Sequence, residues 1–370
     1  MLTSQDTHPI NPCKHYPKNK ENKDNNQQKK EAFPLKNISN IPNVNKQKDM
    51  GKKENKNDNI NDLKLTKTLS HKTLPHPCDP HYFILPKKGQ KELISLNEEK
   101  FQSNPQYLTE YSNEIFEHLK KTEQINIPNY EILESNQKEI TENARAILIN
   151  WLFQIQSKFE LLPETLYLTI NIIDRYLEKN CDYPLSKYQL VGVTAMLIAS
   201  KYEEIYAPEI RDFLHITKKM FSYEDVIEVE NKILSKLKFD LLTASPYIFL
   251  VRFHLISGDN MKLFYLSQLF LELSLLSYDV MKNKNSLKAS CSLYLARKCQ
   301  RIDSSNKDKV WSNELKFFSG YDETELRGCI RSIYEVVKKV AAKFKEGKVN
   351  AIIEKFKAKE YLEVSKILFH

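Results

Sequence analysis

The sequence predicts an all-α protein in which two tandem five-helix repeats follow one amphipathic helix and a disordered N-terminal tail. Three observations lead to this fold class. From Tyr107 onward, apolar residues recur at three- and four-residue steps, which is the period of an α-helix. Two short strings recur at almost one offset, which indicates a repeated unit. Only 7 of the 370 residues are Gly, which disfavours long β-meanders with their Gly-rich turns.

The first 106 residues differ in composition from the rest of the chain. They contain 19 Lys, no Arg and 12 acidic residues, and so carry +7 of the formal net charge of +8. Contiguous apolar residues are too few there to offset the entropy that ordering would cost. We therefore predict a disordered regulatory tail over residues 1–106. A solvated linker is the simpler interpretation of its charge, and weak nonspecific polyanion binding is the alternative.

The remainder divides into three predicted parts. Residues 107–138 form an N-terminal helix and connector, residues 139–241 the first repeat, and residues 245–365 the second. The N-terminal helix is predicted from a single apolar face, which consists of Leu108, Tyr111, Ile115 and Leu119. The apolar stripe of the next helix consists of Ile140, Ala144, Ile147, Leu148, Trp151, Leu152, Ile155 and Phe159.

Local signals predict where the other helices of the first repeat begin and end. Pro163 suits the first turn of a helix that runs to about Lys179. Residues 186–202 are apolar on most sides, which predicts a central helix packed on all faces. Pro208 is expected to open a short helix. Ser222 is a predicted N-cap for the helix that ends near Leu237.

The repeat is indicated by two pairs of strings. AMLIASK at 195–201 and SLYLARK at 292–298 are 97 residues apart, while SYEDVIE at 222–228 and GYDETEL at 320–326 are 98 apart. Either pair alone also fits the general similarity of helical segments rich in Ala, Leu and Lys. Together they predict two copies of one unit.

Composition also bears on the class of function. The sequence has no Gly-rich phosphate loop, no nucleophile motif, and no Cys/His spacing typical of a zinc site, so an enzyme, a cofactor and a metal are not expected. An apolar signal segment and an 18-residue apolar run are absent too. Neither secretion nor membrane insertion is therefore predicted.

Three separated strings together resemble one protein family. They are ARAILINWL at 144–152, NIIDRYL at 171–177 and KYEE at 201–204. In this order and spacing they resemble the cyclin box of the mitotic A and B cyclins. SKFELLPETLYL at 157–168 and ASKYEE at 199–204 favour the B type.

The resemblance implies a regulatory subunit, not an enzyme, that binds and activates a cyclin-dependent protein kinase at G2/M in the nucleus and cytoplasm. The second repeat lacks the ARAIL and KYEE strings, so the binding residues are expected mainly in the first. One alternative is a two-repeat transcription factor that binds DNA through the same fold. A transcription factor of that class is expected to contain a zinc ribbon and a basic helical domain, and the sequence shows neither.

The family's kinase contact maps onto the end of the predicted central helix and a later helix. Lys201 and Glu230 are implied to meet kinase backbone groups, inside an apolar rim that excludes water. The flanking contacts implied by the resemblance are Ile198, Tyr202, Leu234, Phe239 and Leu241, with Tyr111 and Ile115 on the N-terminal helix. Arg145 and Asp174 are implied to pair inside the domain as a structural ion pair.

The family also docks Arg-x-Leu peptides of substrates and inhibitors in a groove. The matching positions are Ala144, Ile147, Leu148, Trp151, Gln154, Tyr188 and Gln189. Ala144 replaces a Met, Tyr188 replaces a Leu, and Lys218 stands where an acidic residue often attracts the peptide's Arg. An added Lys repels a cationic peptide, so a weaker or altered preference is expected. Trp151 has a second interpretation, because a Trp on an apolar stripe is usually core.

The tail contains two matches to a degradation signal. Lys20, Glu21 and Asn22, and again Lys53, Glu54 and Asn55, spell the KEN degron that the anaphase-promoting ubiquitin ligase reads. Leu35, Ile38 and Asn40 resemble the latter part of a destruction box, but Ala32 stands where its Arg should be. We expect the two KEN triplets to act as degrons, with the incomplete box at Leu35 as the alternative.

Overall fold

A computed structural model describes residues 112–301 and 310–369, and within these ranges every regular element is a helix. Tyr111 and the whole predicted tail, including both KEN triplets and the Leu35 element, lie outside the described residues. Before the first repeat come α1 (Ser112–Thr122) and α2 (Tyr130–Asn136). The first repeat consists of α3 (Glu142–Phe159), α4 (Pro163–Glu178), α5 (Tyr188–Glu203), α6 (Ile210–Ile216) and α7 (Tyr223–Leu237).

The second repeat follows the same order. Its five helices are α8 (Pro246–Ser257), α9 (Met261–Ser274), α11 (Asn285–Arg301), α12 (Asn313–Ser319) and α13 (Glu323–Lys345), with the single turn α10 (Tyr278–Met281) inserted before α11. A C-terminal helix, α14 (Ala351–Lys357), comes last. The prediction of an all-α fold with two five-helix repeats is thus confirmed. In the described part of the chain, no helix is both long and apolar enough to cross a bilayer.

Helix α5 forms the centre of the first repeat. Its residues from Tyr188 to Ser200 are all buried, as the all-round apolar pattern predicted. Gly192 allows α3 to approach closely, because a Cβ atom there would lie 2.9 Å from the Leu148 side chain. Pro163 occupies the first turn of α4, and Ser222 caps α7 by accepting the Asp225 N–H. Both predicted helix starts are confirmed.

The two repeats are offset by 97 residues at their central helices but by 100 at the caps of α7 and α13. Helix α5 begins at Tyr188 and α11 at Asn285. The capping boxes begin at Ser222 and Asp322. The sequence pattern aligned Ser222 with Gly320, and this predicted alignment is out of register by two residues. Gly320 instead ends α12 with a φ of +76°. Acidic first turns make the two strings look alike whether or not their caps align.

Helix α1 belongs spatially to the second repeat. Glu123 accepts hydrogen bonds from Ser286 N at 2.8 Å and Ser286 Oγ at 2.9 Å, and so satisfies the start of α11. Lys120 Nζ donates to the Ser319 carbonyl at 2.8 Å. The Phe116 ring meets Phe249 edge to face, with centroids 5.6 Å apart. These contacts hold the N-terminal helix across the far half of the fold.

The C-terminal helix α14 closes over the other side. Asn150 Oδ1 of α3 accepts the Ala351 N–H at 2.7 Å. Lys355 Nζ lies 2.7 Å from Glu272 Oε1 of α9, in an ion pair with side chains 8% and 1% exposed. Helix α14 therefore joins the first helix of one repeat to the second helix of the other.

Candidate functional site

Lys201 and Glu230, implied by the resemblance to act together, form an ion pair. Lys201 is in the last turn of α5 and Glu230 in the middle of α7, with Nζ 2.6 Å from Oε1. The Lys201 side chain is 48% exposed and that of Glu230 is 12% exposed. An ammonium has three donor hydrogens and a carboxylate has two acceptor oxygens. Two Nζ hydrogens and Oε2 thus remain for another molecule.

The apolar residues predicted around this pair are not equally accessible. Tyr202 is 52% exposed and Phe239 is 71% exposed, while Leu234 is half-buried. Ile115 on α1 is also half-buried. Ile198 and Leu241 are 3% and 8% exposed, so they support the surface from beneath more than they contribute to it.

Phe239 lies in a turn with left-handed backbone directly after α7. Helix α7 ends at Leu237 with Lys238 as its C-cap, and both Lys238 and Phe239 have positive φ, at 55° and 57°. The Phe239 N–H donates to the Leu234 carbonyl at 2.9 Å, which satisfies the helix end. Left-handed backbone costs roughly 1–2 kcal/mol for a residue with a Cβ. Such strain at an exposed aromatic residue marks a candidate functional position.

Sequence reasoning missed three exposed apolar residues beside this surface. Ile205 and Tyr206 are 91% and 92% exposed and follow the end of α5 directly, while Leu242 is 59% exposed and follows Leu241. The signal was present in the string KYEEIY, where two apolar residues continue beyond the helix. The helical pattern assigned no face to them, because they lie in a loop. Exposed apolar groups that form a contiguous patch typically mark an interaction surface.

The two Glu residues of KYEE have an internal role. Glu204 accepts hydrogen bonds from Leu162 N at 2.8 Å and from Thr165 Oγ1, so it satisfies the start of α4. Burial and the neighbouring Glu204 raise the pKa of Glu203. Burial, together with Glu203 and Glu204, raises the pKa of Glu164 to about 7. Behind the exposed Lys201, this end of α5 therefore holds a carboxylate cluster that fixes helix positions.

The structure also brings Arg145 and Asp174 together. Arg145 Nε lies 2.8 Å from Oδ1 and Nη2 lies 2.7 Å from Oδ2, in a bidentate pair with side chains only 1% and 0% exposed. Arg145 Nη1 also donates to the Leu275 carbonyl in the second repeat. Tyr130 OH donates to Asp174 Oδ2 at 3.1 Å. Burial opposes the Arg145 charge, but the Asp174 carboxylate overcomes it and raises the pKa of the guanidinium.

The positions implied for peptide docking are divided between core and surface. Leu148, Trp151 and Tyr188 are 0%, 3% and 1% exposed, and Gln189 is also buried. Ala144 and Gln154 are half-buried, and Ile147 is 38% exposed. The core interpretation of Trp151 is thus the one that fits its burial. A family-like groove over Trp151 offers little surface here.

A groove of about 1920 Å³ lies next to these positions. Of the seven docking residues it is lined by Ile147 and Gln154, and Lys218 also lies on it. The other lining residues come mainly from the rest of α3, from α13 and from the segment before α14. Among the residues that the structure describes, no group of three or more His, Cys, Asp or Glu side chains is arranged to hold a metal.

Family models cover most of the chain that the structure describes. The cyclin N-terminal domain matches residues 114–242 and the cyclin C-terminal domain matches residues 244–369. The chain is similar to a G2/mitotic-specific cyclin-B of Dictyostelium discoideum, with 36% identity over 264 residues that cover 71% of this chain and 58% of the relative. It is similar to the G2/mitotic-specific cyclin-B of Spisula solidissima, with 34% identity over 81% of this chain and 67% of the relative.

An A-type relative and a solved structure also match. Cyclin-A1-1 of Arabidopsis thaliana is 31% identical over 81% of this chain and 64% of the relative. The fold resembles the X-ray structure of a viral cyclin from herpesvirus saimiri, with a TM-score of 0.52 and 21% identity over 60% of this chain and 96% of that chain. The match spans little more than half the length of the Dictyostelium relative.

Proposed function

The chain belongs to the cyclin family, and from this premise we propose that it is the regulatory subunit that binds and activates a cyclin-dependent protein kinase at the G2/M transition. It acts as a regulator and not as a catalyst. The names of two relatives, both G2/mitotic-specific cyclins, support the timing. We further propose that it works in the nucleus and cytoplasm.

The observation that carries this proposal is the paired Lys201 and Glu230 beside exposed apolar side chains. The pair is already formed in the free chain, so binding does not have to order two long side chains from solvent. The remaining Nζ hydrogens and Oε2 are suited to backbone carbonyl and N–H groups of a partner. Tyr202 and Phe239 supply the surrounding apolar area that excludes water.

Binding at this surface would act on the kinase through its Glu-bearing regulatory helix. A kinase is active when that Glu pairs with the Lys that orients the nucleotide phosphates. A rigid surface that holds the helix inward therefore selects the active conformation. Helices α5 and α7 provide such a surface, because α5 is buried along most of its length and Glu204 fixes its end against α4.

Substitution of the pair tests the proposal. Lys201→Ala and Glu230→Ala should each weaken kinase binding by about 2–5 kcal/mol, because each leaves one partly desolvated charge without its partner in the complex. Purified chain and candidate kinases can be compared by calorimetry and by phosphorylation of a short substrate peptide.

Glu228→Ala is the matched control. Glu228 pairs with Lys232 on the same helix α7, with side chains 63% and 56% exposed. The substitution therefore removes an ion pair of similar chemistry that lies away from the apolar surface. Kinase binding should be unchanged in this variant. Native affinity in both the Lys201 and the Glu230 variants would exclude this surface as the contact.

We also propose that the tail times destruction through the anaphase-promoting ubiquitin ligase. The KEN triplets at 20–22 and 53–55 support this, and all proposed kinase contacts lie at or beyond Tyr111. The chain with both triplets changed to Ala should persist at mitotic exit and still activate the kinase. Equal half-lives of native and substituted chains in synchronised cells would remove the triplets from the proposal.

A further inference from the structure

The groove beside Ile147 has a strongly basic rim. It is bounded by α3, by the loop after α6, by α13 and by the segment 347–351. Five exposed lysines line it without an ion-pair partner among the described residues: Lys158, Lys218, Lys219, Lys339 and Lys343. They come from three separate parts of the chain, so the fold and not a local charge run brings them together.

The described residues that line this groove include seven lysines but only two acidic residues, Glu142 and Glu354, which are too few to neutralise the rim. Glu142 Oε1 accepts the Tyr278 N–H at 2.8 Å, and Glu354 lies 3.6 Å from Lys357. Two further lysines of the groove are themselves paired, since Lys355 bonds Glu272 and Lys348 lies 3.6 Å from Glu346. The five remaining ammonium groups border one concave space and therefore reinforce one another's potential.

Between the lysines the groove also presents apolar side chains. Ile147 is 38% exposed and Val349 is 71% exposed, with the half-buried Val340 between the rim positions of α13. A ligand that fits must therefore present apolar side chains as well as negative charge.

Two of the lysines are held at the groove by strained backbone. Lys218 and Lys219 follow α6 with φ values of 53° and 57°. The Lys219 N–H donates to the Leu214 carbonyl at 2.8 Å, which fixes the turn. Consecutive left-handed residues other than Gly, Asn or Asp are uncommon. The loop thus keeps two adjacent positive charges on one edge of the groove.

We infer that this groove docks an acidic linear segment of a partner protein, with Asp and Glu side chains at the lysine rim and apolar side chains on the floor. Naming that partner a substrate or regulator of the kinase complex rests on the proposed function, but the binding chemistry does not. A cationic Arg-x-Leu peptide is disfavoured by the same charges. The chain's own tail, with 19 Lys against 12 acidic residues, is disfavoured as well.

Other anionic ligands fit less well. Arg binds phosphate bidentately through its planar fork, and the described residues that line the groove include no Arg, so this mode of phosphate recognition has no donor there. Single-stranded nucleic acids stack on aromatic rings, and the same lining includes no Phe, Tyr or Trp. Lysine point charges with aliphatic neighbours suit flexible carboxylates beside apolar side chains.

The full chain tests the inference with a fluorescent peptide of Glu, Asp, Leu and Val, about twelve residues long, which reaches about 40 Å when extended. A control peptide replaces each Glu and Asp by Gln and Asn. Fluorescence anisotropy should show saturable binding of the acidic peptide, at least about tenfold tighter than the control, and weaker binding as salt shortens the Debye length.

Helix α13 provides a matched pair of variants. Lys339→Glu with Lys343→Glu reverses two rim charges, and should weaken acidic-peptide binding about tenfold or more. Lys338→Glu with Lys345→Glu reverses two exposed lysines of the same helix that do not line the groove, so binding should stay near native. Both variants should still activate the kinase on a short substrate without an acidic segment, which separates this inference from the proposed kinase contact.

Each contrary result overturns the inference. Equal losses in the two double variants would show a general charge effect and not a site. No binding, or tighter binding of a phosphoserine peptide, a single-stranded oligonucleotide or an Arg-x-Leu peptide, would exclude a carboxylate-rich occupant. Loss of kinase activation in Lys201→Ala with acidic-peptide binding intact would leave this inference standing independently.

Discussion

Two ion pairs of nearly equal length occupy opposite environments in this chain. Arg145 Nη2 and Asp174 Oδ2 are 2.7 Å apart in the core, while Lys201 Nζ and Glu230 Oε1 are 2.6 Å apart at the surface. Distance alone does not separate their roles. What separates them is the hydrogen-bonding capacity that each pair leaves unused.

The buried pair leaves little capacity unused. Both Asp174 oxygens accept from Arg145, Tyr130 OH adds a third bond, and Arg145 reaches the Leu275 carbonyl of the second repeat. The surface pair makes one mutual hydrogen bond and faces solvent and exposed apolar groups. A saturated pair can only hold the fold together, whereas an unsaturated one can bind a partner.

The largest expected effect comes from breaking the buried pair. Asp174→Ala leaves the Arg145 guanidinium buried without its carboxylate, and should lower the free energy of unfolding by about 3–5 kcal/mol. Urea unfolding followed by far-ultraviolet circular dichroism measures this. Lys201→Ala serves as the comparison, because removing a lysine that is 48% exposed should change stability by no more than about 1 kcal/mol.

The test is decided by which of these two variants loses more free energy of unfolding. If Lys201→Ala destabilised the chain more than Asp174→Ala, the assignment of one pair to the fold and the other to binding would be wrong. A native unfolding curve for Asp174→Ala would have the same consequence.

A third charge, Lys288, sharpens the comparison because it is buried without a carboxylate partner among the described residues. Its Nζ donates to the Met281 carbonyl at 3.3 Å and the residue is 2% exposed. Burial lowers the pKa of Lys288 to about 8, from 10.5. Arg145 keeps its charge in the core because Asp174 is bonded to it, whereas Lys288 has nothing comparable.

The sign of the pH dependence follows from that shift. Between about pH 8 and 10.5 the unfolded chain holds the Lys288 proton that the folded chain has released. Stability from this group therefore rises with pH across that window, by at most about 1.4 kcal/mol per pH unit. Below pH 8 both states are protonated and the full penalty of burying the charge applies.

Lys288→Met removes this group at similar volume. The variant should be more stable than the native chain at pH 7, by about 1–3 kcal/mol, and the difference should shrink towards pH 10. Comparing the two chains at each pH cancels the titration of the groups that do not interact with Lys288. A difference that stays constant between pH 7 and 10 would contradict a buried charged lysine.

The sequence predicted helices correctly where a local residue pattern marks them. Pro163 and Ser222 marked helix starts correctly, and the unbroken apolar character of α5 predicted its central position. The predicted register of the second repeat was wrong because acidic first turns resemble each other whatever residue caps the helix. Asp322 was therefore not recognised as the N-cap of α13. Exposed loop residues were missed for a related reason, since Ile205 and Tyr206 belong to no periodic face.

The candidate site was predictable only in part. Lys201 and Glu230 are 29 residues apart in sequence, and the family resemblance, not periodicity, paired them. The groove was less predictable, because Lys158, Lys218 and Lys339 are brought together by tertiary packing alone. Asn150 shows the same limit: its bond to Ala351 spans 201 residues, and no local pattern indicates it.

The smallest expected change in stability comes from Phe239, where we expect the strained backbone of the turn after α7 to serve kinase binding. Phe239 is 71% exposed with a φ of 57°, so Phe239→Gly should relieve backbone strain and raise the free energy of unfolding by about 1 kcal/mol or less. The same variant should weaken kinase binding by about 1–3 kcal/mol, because an exposed aromatic anchor is lost.

Leu362→Gly is the matched control, since Leu362 is 49% exposed with a φ of 52° but lies in the C-terminal segment. It should gain similar stability and bind the kinase normally, measured by urea unfolding and calorimetry. If Phe239→Gly bound the kinase as tightly as Leu362→Gly, the turn after α7 would be only a strained helix end, and Phe239 would drop out of the proposed kinase contact.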